Sequence, residues 1–308
     1  MRPVPGLLAA ALALSLAACG SGPDAATGDG TAAPAASSTR TVETARGPVE
    51  VPAEPERVVV LDTGELDSAV ALGVVPVGAV RAPVQDGLLG YLADDLDGVE
   101  LVGEIDEPDL ERIAALDPDL ILGSELRVGQ VYDQLSAIAP TVLTETVGVV
   151  WKENLLVHGA ALGREEQAQE LLDAYEARAD EVGAAVDDST TVSVVRFVPG
   201  EIRLYARASF LGTVLQDVGA ARPAPQDVDE FAVTVSPEQV DKAAGDVVLV
   251  GTYGDPAETD RDAVLGGPLW ERTVAGSRVE QVSDDLFFLG IGVGAAQQVL
   301  DELERLLG

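Results

Sequence analysis

Residues 192–211 read VSVVRFVPGEIRLYARASFL, and this stretch decides how the second half of the chain folds. The first part is rich in valine, Pro199 and Gly200 then interrupt the run, and residues 201–206 continue it. Runs of this composition on either side of a Pro-Gly pair are typical of two strands joined by a tight turn. The pattern predicts a β-hairpin with a two-residue loop at Pro199 and Gly200.

The register of this hairpin gathers positive charge on one face. With a two-residue loop Arg196 stands opposite Arg203, and Tyr205 and Arg207 fall on the same face, because strand side chains alternate. Like charges opposed across a ladder are unfavourable, whereas a guanidinium fork suits carboxylate or phosphate oxygens. The face is therefore predicted to bind an anion. A three-residue loop would change the pairing, and a solvated strand whose arginines pair with nearby carboxylates is the alternative.

Composition limits the classes of function. The chain has 308 residues, of which 47% are hydrophobic, so it is long and apolar enough for two ordinary domains. Its net charge is −34, from 53 acidic and 19 basic residues, and nucleic acid is not an expected partner because its phosphates need a basic surface. The single cysteine allows no disulfide within the chain.

The amino terminus has the features of an export signal. Arg2 precedes an apolar run over residues 7–17, which is too short to span a bilayer as a mature helix. Residues 16–19 read LAAC and resemble a bacterial lipobox, which predicts a signal peptide over 1–18 and a lipid on Cys19. An ordinary signal peptide with an incidental cysteine is the alternative. Residues 19–40 are predicted to form a flexible tether.

The remaining chain alternates strands with helices. The predicted amino-terminal α/β lobe covers 41–150, connecting helices cover 151–188, and a second α/β lobe covers 189–308. The predicted strands of the first lobe are 57–61, 74–80, 119–122 and 141–143, and its predicted helices are 63–72, 110–116 and 128–138. The connecting helices are predicted to split at Gly163. The second lobe is predicted to hold helices at 209–218 and 294–307 and strands at 246–251 and 278–282.

Four stretches carry a resemblance to a known family. They read RVVVLDTGELD at 57–67, LERIAALDPDLI at 110–121, YDQLSAIAPT at 132–141 and RFVPGEIRLY at 196–205. Together they resemble the iron–siderophore substrate-binding lipoproteins of ABC importers, over roughly residues 41–308. The resemblance implies the class III periplasmic-binding-protein fold: two three-layer α/β lobes joined by a single long helix, with the ligand between them and little hinge motion. Such relatives often carry Trp near Phe287 or Phe288, and a basic residue or His where this chain has Val128.

The candidate ligand-binding residues follow from where strands end. Ligands in such folds meet the carboxyl ends of strands, and Arg81 and Arg127 come just after two of them. Surface ion pairs are the alternative for both arginines. Trp151 begins the first connecting helix at the lobe junction and is the leading candidate aromatic residue, with a packing role as the alternative. The full predicted ligand-binding set is Arg81, Arg127, Trp151, Arg196, Arg203, Tyr205 and Arg207. Tyr91 and Tyr253 are further candidate aromatics, and His158 is expected to be a packed or surface residue.

The expected ligand is a ferric siderophore of the carboxylate or mixed hydroxamate-carboxylate type. Its oxygens already satisfy the ferric ion, so no protein metal ligand, resident cofactor or catalytic residue is expected. The alternatives to a siderophore receptor are a haem or cobalamin receptor of the same fold and an exported hydrolase. The resemblance also implies that Glu111 and Glu238, one in each lobe, dock on permease arginines, although helix starts favour acidic residues anyway. The protein is expected to be a monomer, anchored by its lipid to the outer face of the cytoplasmic membrane.

Overall fold

The computed structural model describes residues 38–83, 85–187 and 189–307. The predicted signal peptide, Cys19 and residues 19–37 of the predicted tether lie outside the described residues. The first lobe begins at Thr39 and not at residue 41, because Thr39 and Arg40 already pair with Pro52 and Val51 in the first hairpin. Arg40 holds this hairpin in place by donating to Ala53 O and pairing with Glu165 at 3.0 Å.

The first half of the chain forms a two-stranded hairpin and a six-stranded sheet. Sheet order is β6-β5-β4-β3-β7-β8, and only β6 runs antiparallel to its neighbour among these described strands. The strands are β1 (Thr39–Thr44), β2 (Gly47–Pro52), β3 (Val58–Val60), β4 (Gly78–Arg81), β5 (Glu100–Glu104), β6 (Glu107–Pro108), β7 (Leu120–Ser124) and β8 (Thr141–Thr144).

The helices of this half are α1 (Thr63–Ala71), α2 (Leu110–Ala115), α3 (Glu125–Val128) and α4 (Tyr132–Ser136), with a 3-10 turn at Gly90–Asp95. Asp62 caps α1 by accepting from Thr63 N. The helix predicted over 128–138 was wrong in extent, because a 3-10 turn at Gly129–Val131 separates α3 from α4. Glycine and β-branched valine lower helix propensity at this point.

Two helices connect the halves, α5 (Trp151–Leu162) and α6 (Glu165–Gly183). Gly163 ends α5 with a φ of 70°, a left-handed conformation that glycine adopts without steric cost. The predicted split at Gly163 is therefore confirmed. The buried stripe of α6 has helical spacing and consists of Ala168, Leu172, Tyr175, Ala179 and Val182.

The second half forms a mixed five-stranded sheet in the order β11-β10-β9-β12-β13. Strand β12 runs parallel to β9 and β13, whereas β9, β10 and β11 are antiparallel. These strands are β9 (Val192–Val198), β10 (Glu201–Tyr205), β11 (Ala232–Val235), β12 (Val247–Thr252) and β13 (Arg278–Gln281). The helices are α7 (Phe210–Asp217), α8 (Arg261–Leu265), α9 (Pro268–Thr273) and α10 (Val293–Leu307), with a 3-10 helix at Pro237–Ala243 and a π-helical turn at Asp285–Leu289.

Alternation along the strands builds three layers in each half. Val58 and Val60 of β3 enter a large central core, while Val59 and Leu61 enter an outer core beneath α2 and α4. In the second sheet Val192 and Val194 enter the same central core, and the neighbouring positions face a separate outer core with Trp270. The central core therefore includes one face of each sheet together with α1, α5, α6, α7 and α10.

The carboxyl ends of the parallel strands are where the two sheets approach each other. Strand β3 lies between β4 and β7, so the chain leaves β3 and β7 toward opposite sides of the first sheet. Such a reversal opens a crevice at the strand ends, which is the usual ligand position in open α/β sheets.

Candidate ligand-binding site

A cavity of about 600 Å³ lies at these strand ends and is lined by residues of both halves. This volume is within the range of small-molecule sites. The first half contributes the ends of β3 and β4 and the segment after β7. The second half contributes the β9–β10 hairpin, the end of β12 and the π-helical turn. The lining residues used below are Asp62, Asp106, Arg127, Arg196, Arg203, Tyr205, Phe231, Tyr253, Phe287 and Phe288.

Arg127 and Asp62 form the charged wall of the first half. Arg127 Nε donates to Asp62 Oδ2 at 2.9 Å, and Arg127 Nη1 donates to Asp106 Oδ1 at 3.4 Å. Burial acts to lower the pKa of Arg127, but the two carboxylates outweigh it and the pKa is raised. Asp62 is itself held by Thr63 N at 2.7 Å, so the amino terminus of α1 positions the ion pair.

Arg196 forms the buried centre of the second wall. Its Nε and Nη2 bind the two carboxylate oxygens of Asp284 at 2.7 and 2.5 Å, and its Nη1 donates to Tyr205 OH at 2.9 Å. Burial is the largest influence on the pKa of Asp284 and raises it, while Arg196 acts in the opposite direction. The bidentate pair fixes the Arg196 guanidinium, which in turn holds the hydroxyl of Tyr205, a residue of the cavity wall.

Arg203 stands opposite Arg196 in the β9–β10 ladder, so the predicted hairpin register is confirmed. Its Nε donates to Glu201 Oε2 at 2.6 Å. The opposed arginines were expected to strain the protein without ligand. Each has its own carboxylate, Asp284 for Arg196 and Glu201 for Arg203, which removes most of that repulsion.

Aromatic rings cover the cavity wall around Arg196. The Phe288 ring lies 4.9 Å from Arg196 Cζ, and the Tyr253 ring lies 4.7 Å from the same atom. Tyr205 makes edge-to-face contacts with Phe288 at 4.9 Å and with Phe231 at 5.0 Å. The wall therefore offers both a cation and apolar ring faces to a ligand.

The structure brings together Arg127, Arg196, Arg203 and Tyr205 of the predicted set and places three members elsewhere. Arg81 Nη2 binds Glu104 Oε1 at 2.7 Å across β4 and β5, which is the surface ion pair weighed as its alternative. Arg207 lies beyond the end of β10, so strand alternation no longer applies, and it pairs with Asp227 at 2.7 Å. Neither arginine is among the lining residues.

Trp151 takes the packing role that was its alternative, since it belongs to the central core and not to the cavity wall. Its Nε1 donates to Thr213 Oγ1 at 3.0 Å, and its ring packs edge-on against Tyr175 at 4.8 Å. The start of α5 faces inward at the junction of the halves, where a large apolar ring fills space. Of the two further candidate aromatics, Tyr253 lines the cavity, whereas Tyr91 donates to Asp67 at 2.6 Å.

Sequence reasoning missed several lining residues. Asp62 follows a buried strand directly and stands where the strand order reverses, so its position in the sequence could have indicated it. Asp284, which holds Arg196 from behind without lining the cavity itself, carries no such signal, because it lies 88 residues from Arg196 in the chain. Phe231 is likewise placed only by packing of a segment outside the predicted elements, whereas the family resemblance had already marked the position of Phe287 and Phe288.

The two predicted docking glutamates are exposed and lie far apart in the sequence. Glu111 is in the first turn of α2, after the capping residue Asp109. Glu238 is in the first turn of the 3-10 helix at Pro237–Ala243. A hydrogen bond with Ser236 lowers the pKa of Glu238. Both carboxylates are available to a partner.

Two further observations concern the described part of the chain as a whole. It contains no group of three or more His, Cys, Asp or Glu side chains arranged to hold a metal ion. Within the same residues, none of the helices combines the length and apolar character needed to cross a membrane.

Two α/β halves that meet at their strand ends around one cavity define a two-lobed solute-binding protein. Comparison with known families supports this class, since the profile described as "Periplasmic binding protein" matches residues 58–278. The chain belongs to this family of periplasmic binding proteins.

Among its relatives are proteins named for the binding of siderophores. The chain is 37% identical over 284 residues to the probable siderophore-binding lipoprotein YfiY of Bacillus subtilis (strain 168), and the match covers 87% of both chains. It is 30% identical to the achromobactin-binding periplasmic protein of Dickeya dadantii (strain 3937), over 82% of this chain and 87% of that protein. These relatives are binding proteins and not enzymes.

A solved structure supports the same assignment. SirA of Staphylococcus aureus, in complex with staphyloferrin B, matches with a TM-score of 0.78 and 31% identity, covering 87% of this chain and 98% of SirA. The predicted family and fold class are thereby confirmed.

Proposed function

We propose that this protein captures a ferric siderophore outside the cytoplasm and delivers it to an ABC importer. The observation that carries the proposal is the convergence of Arg127, Arg196 and Arg203 on one cavity of about 600 Å³ from both lobes. Its relatives named for siderophores support the same cargo. The ligand class favoured by the arginines is a carboxylate or mixed hydroxamate-carboxylate complex.

The cavity chemistry suits oxygen-rich ligands. Each of the three arginines is already paired with a protein carboxylate. An anionic ligand therefore displaces that carboxylate from the guanidinium or shares the guanidinium with it. Arg203 contacts Glu201 through Nε, which leaves the Nη end of its guanidinium fork for ligand oxygens. Arg127 contacts Asp62 through Nε and Asp106 through Nη1, so its Nη2 group is the one left for the ligand. The ferric ion travels as cargo inside the siderophore's own oxygen shell.

Delivery needs an anchor and a docking surface. In this proposal a lipid on Cys19 retains the monomeric protein at the outer face of the cytoplasmic membrane, and Glu111 and Glu238 dock on the permease. A single acyl chain binds membranes only marginally, so full lipoprotein maturation is required. Cys19→Ser is expected to release the protein from membranes, measured by fractionation, and unchanged membrane retention would contradict the anchor.

The proposed role involves no covalent chemistry. His158, the only histidine in the chain, is buried behind the cavity wall and is not among the lining residues. A hydrolase would need a base beside its nucleophile at the ligand.

The decisive experiment is a calorimetric titration of the purified mature protein with a panel of ligands. The panel comprises ferric staphyloferrin B, ferric achromobactin, ferric citrate, haemin and cobalamin. We expect saturable binding of at least one of the three ferric complexes and none of haemin or cobalamin. Binding of haemin or cobalamin alone would overturn the proposal.

A further inference from the structure

A second, much smaller cavity lies behind the wall of the ligand cavity, between α1 and α5. Its volume is about 10 Å³, close to the space that one water molecule needs, and Glu65, Ser68, Asn154 and His158 are among its lining residues. Three residues line both cavities: Val147, Gly148 and Ile291. The small cavity is therefore separated from the ligand only by a thin shared wall.

Glu65 and His158 face each other in this cavity without partners. Both side chains are 1% exposed, and His158 Nε2 lies 4.0 Å from Glu65 Oε1. Among the described residues, no atom makes a hydrogen bond of acceptable geometry with either carboxyl oxygen or either ring nitrogen. The separation is too long for a direct hydrogen bond but allows one water to contact both groups. Burying four polar atoms without partners is costly, so the geometry points to such a water.

Burial and the neighbouring charges favour the neutral, protonated form of the Glu65 carboxyl group. Burial first, and then the negative charge of Asp62, raise the pKa of Glu65 to about 8, while Arg127 acts in the opposite direction. Burial lowers the pKa of His158 to about 4. No acidic residue occupies the first turn of α10, which also packs on α1. Other ionisable groups on α1, α5 and the elements around them bind elsewhere or face solvent. Asp67 accepts from Tyr91, Gly294 N and Ala295 N, and Arg81 pairs with Glu104. Lys152 and Tyr175 both bind Asp217, and Glu153 is exposed.

We propose that this cavity is a proton-binding site, in which a neutral Glu65 acid and a neutral His158 ring share one buried water, and that loss of the proton weakens capture of an anionic ligand. Asp62 provides the link, because it lies one helical turn from Glu65 and pairs with Arg127 in the ligand cavity. An ionised Glu65 adds a second negative charge behind Asp62, which competes for Arg127 and repels the ligand. This second part rests on the proposed function, whereas the proton site needs no ligand.

The charge state of the pair can be measured without any variant. His158 is the only histidine, so after removal of a purification tag its ring C2 proton gives one assignable NMR signal. We expect this signal to remain that of a neutral ring at neutral pH and to titrate only near the folded pKa of about 4. A protonated ring at neutral pH would show a Glu65–His158 ion pair and would overturn the proposal.

The proton on Glu65 is tested by urea unfolding across pH. The folded pKa of about 8 is above the ordinary 4.5, so the folded state holds the proton more tightly and loses this advantage as pH rises through about 8. Between about pH 5 and about pH 9 the unfolding midpoint of the wild type should therefore fall relative to that of Glu65→Gln, which keeps a neutral side chain at all pH values. Parallel midpoints would overturn the proton site. If Glu65→Gln does not fold, infrared spectroscopy of the wild type tests the same proton. A protonated, buried Glu65 should give a carbonyl band of a neutral carboxylic acid, and the absence of that band would count against the site.

The link to the ligand is tested with ferric staphyloferrin B as the probe. We expect wild-type affinity to fall roughly two- to tenfold more than Glu65→Gln affinity between about pH 6 and about pH 9. The control is Glu166→Gln, an exposed glutamate in the first turn of α6, which should follow the wild type. Equal pH dependence in all three proteins would overturn the link. Absence of binding in all three at every pH would count against the proposed function and the link, while leaving the proton site to the ligand-free measurements.

Discussion

The three cavity arginines differ in how much of each guanidinium is already engaged. Arg196 uses Nε, Nη1 and Nη2 and is 6% exposed, so it positions Asp284 and Tyr205 more than it meets a ligand. The side chains of Arg127 and Arg203 are 30% and 35% exposed and are held mainly at Nε. Their remaining N–H groups are the ones that can bind ligand oxygens directly.

Arg203→Ala is therefore expected to weaken binding of the ferric siderophore by about 1.5–3 kcal/mol, the contribution of a hydrogen bond to a charged group. Arg203→Lys should restore it only in part, because a point charge cannot reproduce a bidentate fork. The measurement is calorimetric affinity for the ferric complex that the panel identifies. Arg207→Ala is the matched control, since Arg207 is exposed, paired with Asp227 and outside the cavity. Equal affinities of wild type and Arg203→Ala would contradict the role of the hairpin.

At the scale of elements, α10 is tied to the first lobe by one buried carboxyl group. Asp67 of α1 accepts from Gly294 N and Ala295 N, both at 2.8 Å, and from Tyr91 OH at 2.6 Å. A second tie joins the π-helical turn to the first lobe, because Asp285 accepts from Gly90 N at 2.8 Å. Both ties join residues about two hundred positions apart, and they restrict movement of the lobes.

Tyr91→Phe is expected to lower the free energy of unfolding by about 1–3 kcal/mol, because one hydrogen bond to a buried carboxyl group is lost. Asp67→Ala should cost more, since it leaves Tyr91 and two amides of α10 without their acceptor. Urea unfolding at constant pH provides the measurement. Tyr132→Phe is the control, because that ring lies half-buried beneath Arg46 at the surface. A similar loss of unfolding free energy in Tyr91→Phe and Tyr132→Phe would show that the Tyr91–Asp67 hydrogen bond stabilises the fold no more than a surface tyrosine hydroxyl does.

Glu111 and Glu238, each in the first turn of a helix, are predicted to dock on the permease. Glu111→Ala and Glu238→Ala should leave ligand affinity unchanged and lower uptake, because both side chains are exposed and neither is among the cavity-lining residues. Affinity is measured by calorimetry and uptake with radioactive ferric siderophore in cells. Glu166→Ala serves as the control for removal of an exposed first-turn glutamate. If affinity and uptake fall together, the two glutamates act on the ligand or the fold and not on the permease.

At the scale of the whole molecule, one central core runs through both lobes. It contains Val60 and Leu122 of the first sheet and Val194 and Leu249 of the second, together with helices from both halves. Separating the lobes would expose this apolar surface to water. The shared core and the two carboxyl ties give a physical reason for the limited hinge motion that the family resemblance implies.

A shared core predicts a single cooperative unfolding transition. The chain has two tryptophans, Trp151 in the central core and Trp270 in the outer core of the second lobe. In the single-tryptophan variants Trp151→Phe and Trp270→Phe, the fluorescence midpoint should equal the circular-dichroism midpoint of the same variant. Different midpoints for the two probes within one variant would show that the lobes unfold separately.

Local sequence patterns were enough to determine several strands, turns and helix ends of this protein. The β9–β10 hairpin, its opposed Arg196 and Arg203, the Asp62 cap and the helix break at Gly163 all follow from neighbouring residues, because strand alternation, turns and caps act over a few positions. Tertiary structure alone decided which carboxylate neutralises each arginine, that Trp151 enters the core, and that Arg207 leaves the cavity. These outcomes depend on segments far apart in the chain, such as Arg196 and Asp284, whose meeting is set by how the sheets and the last helix pack.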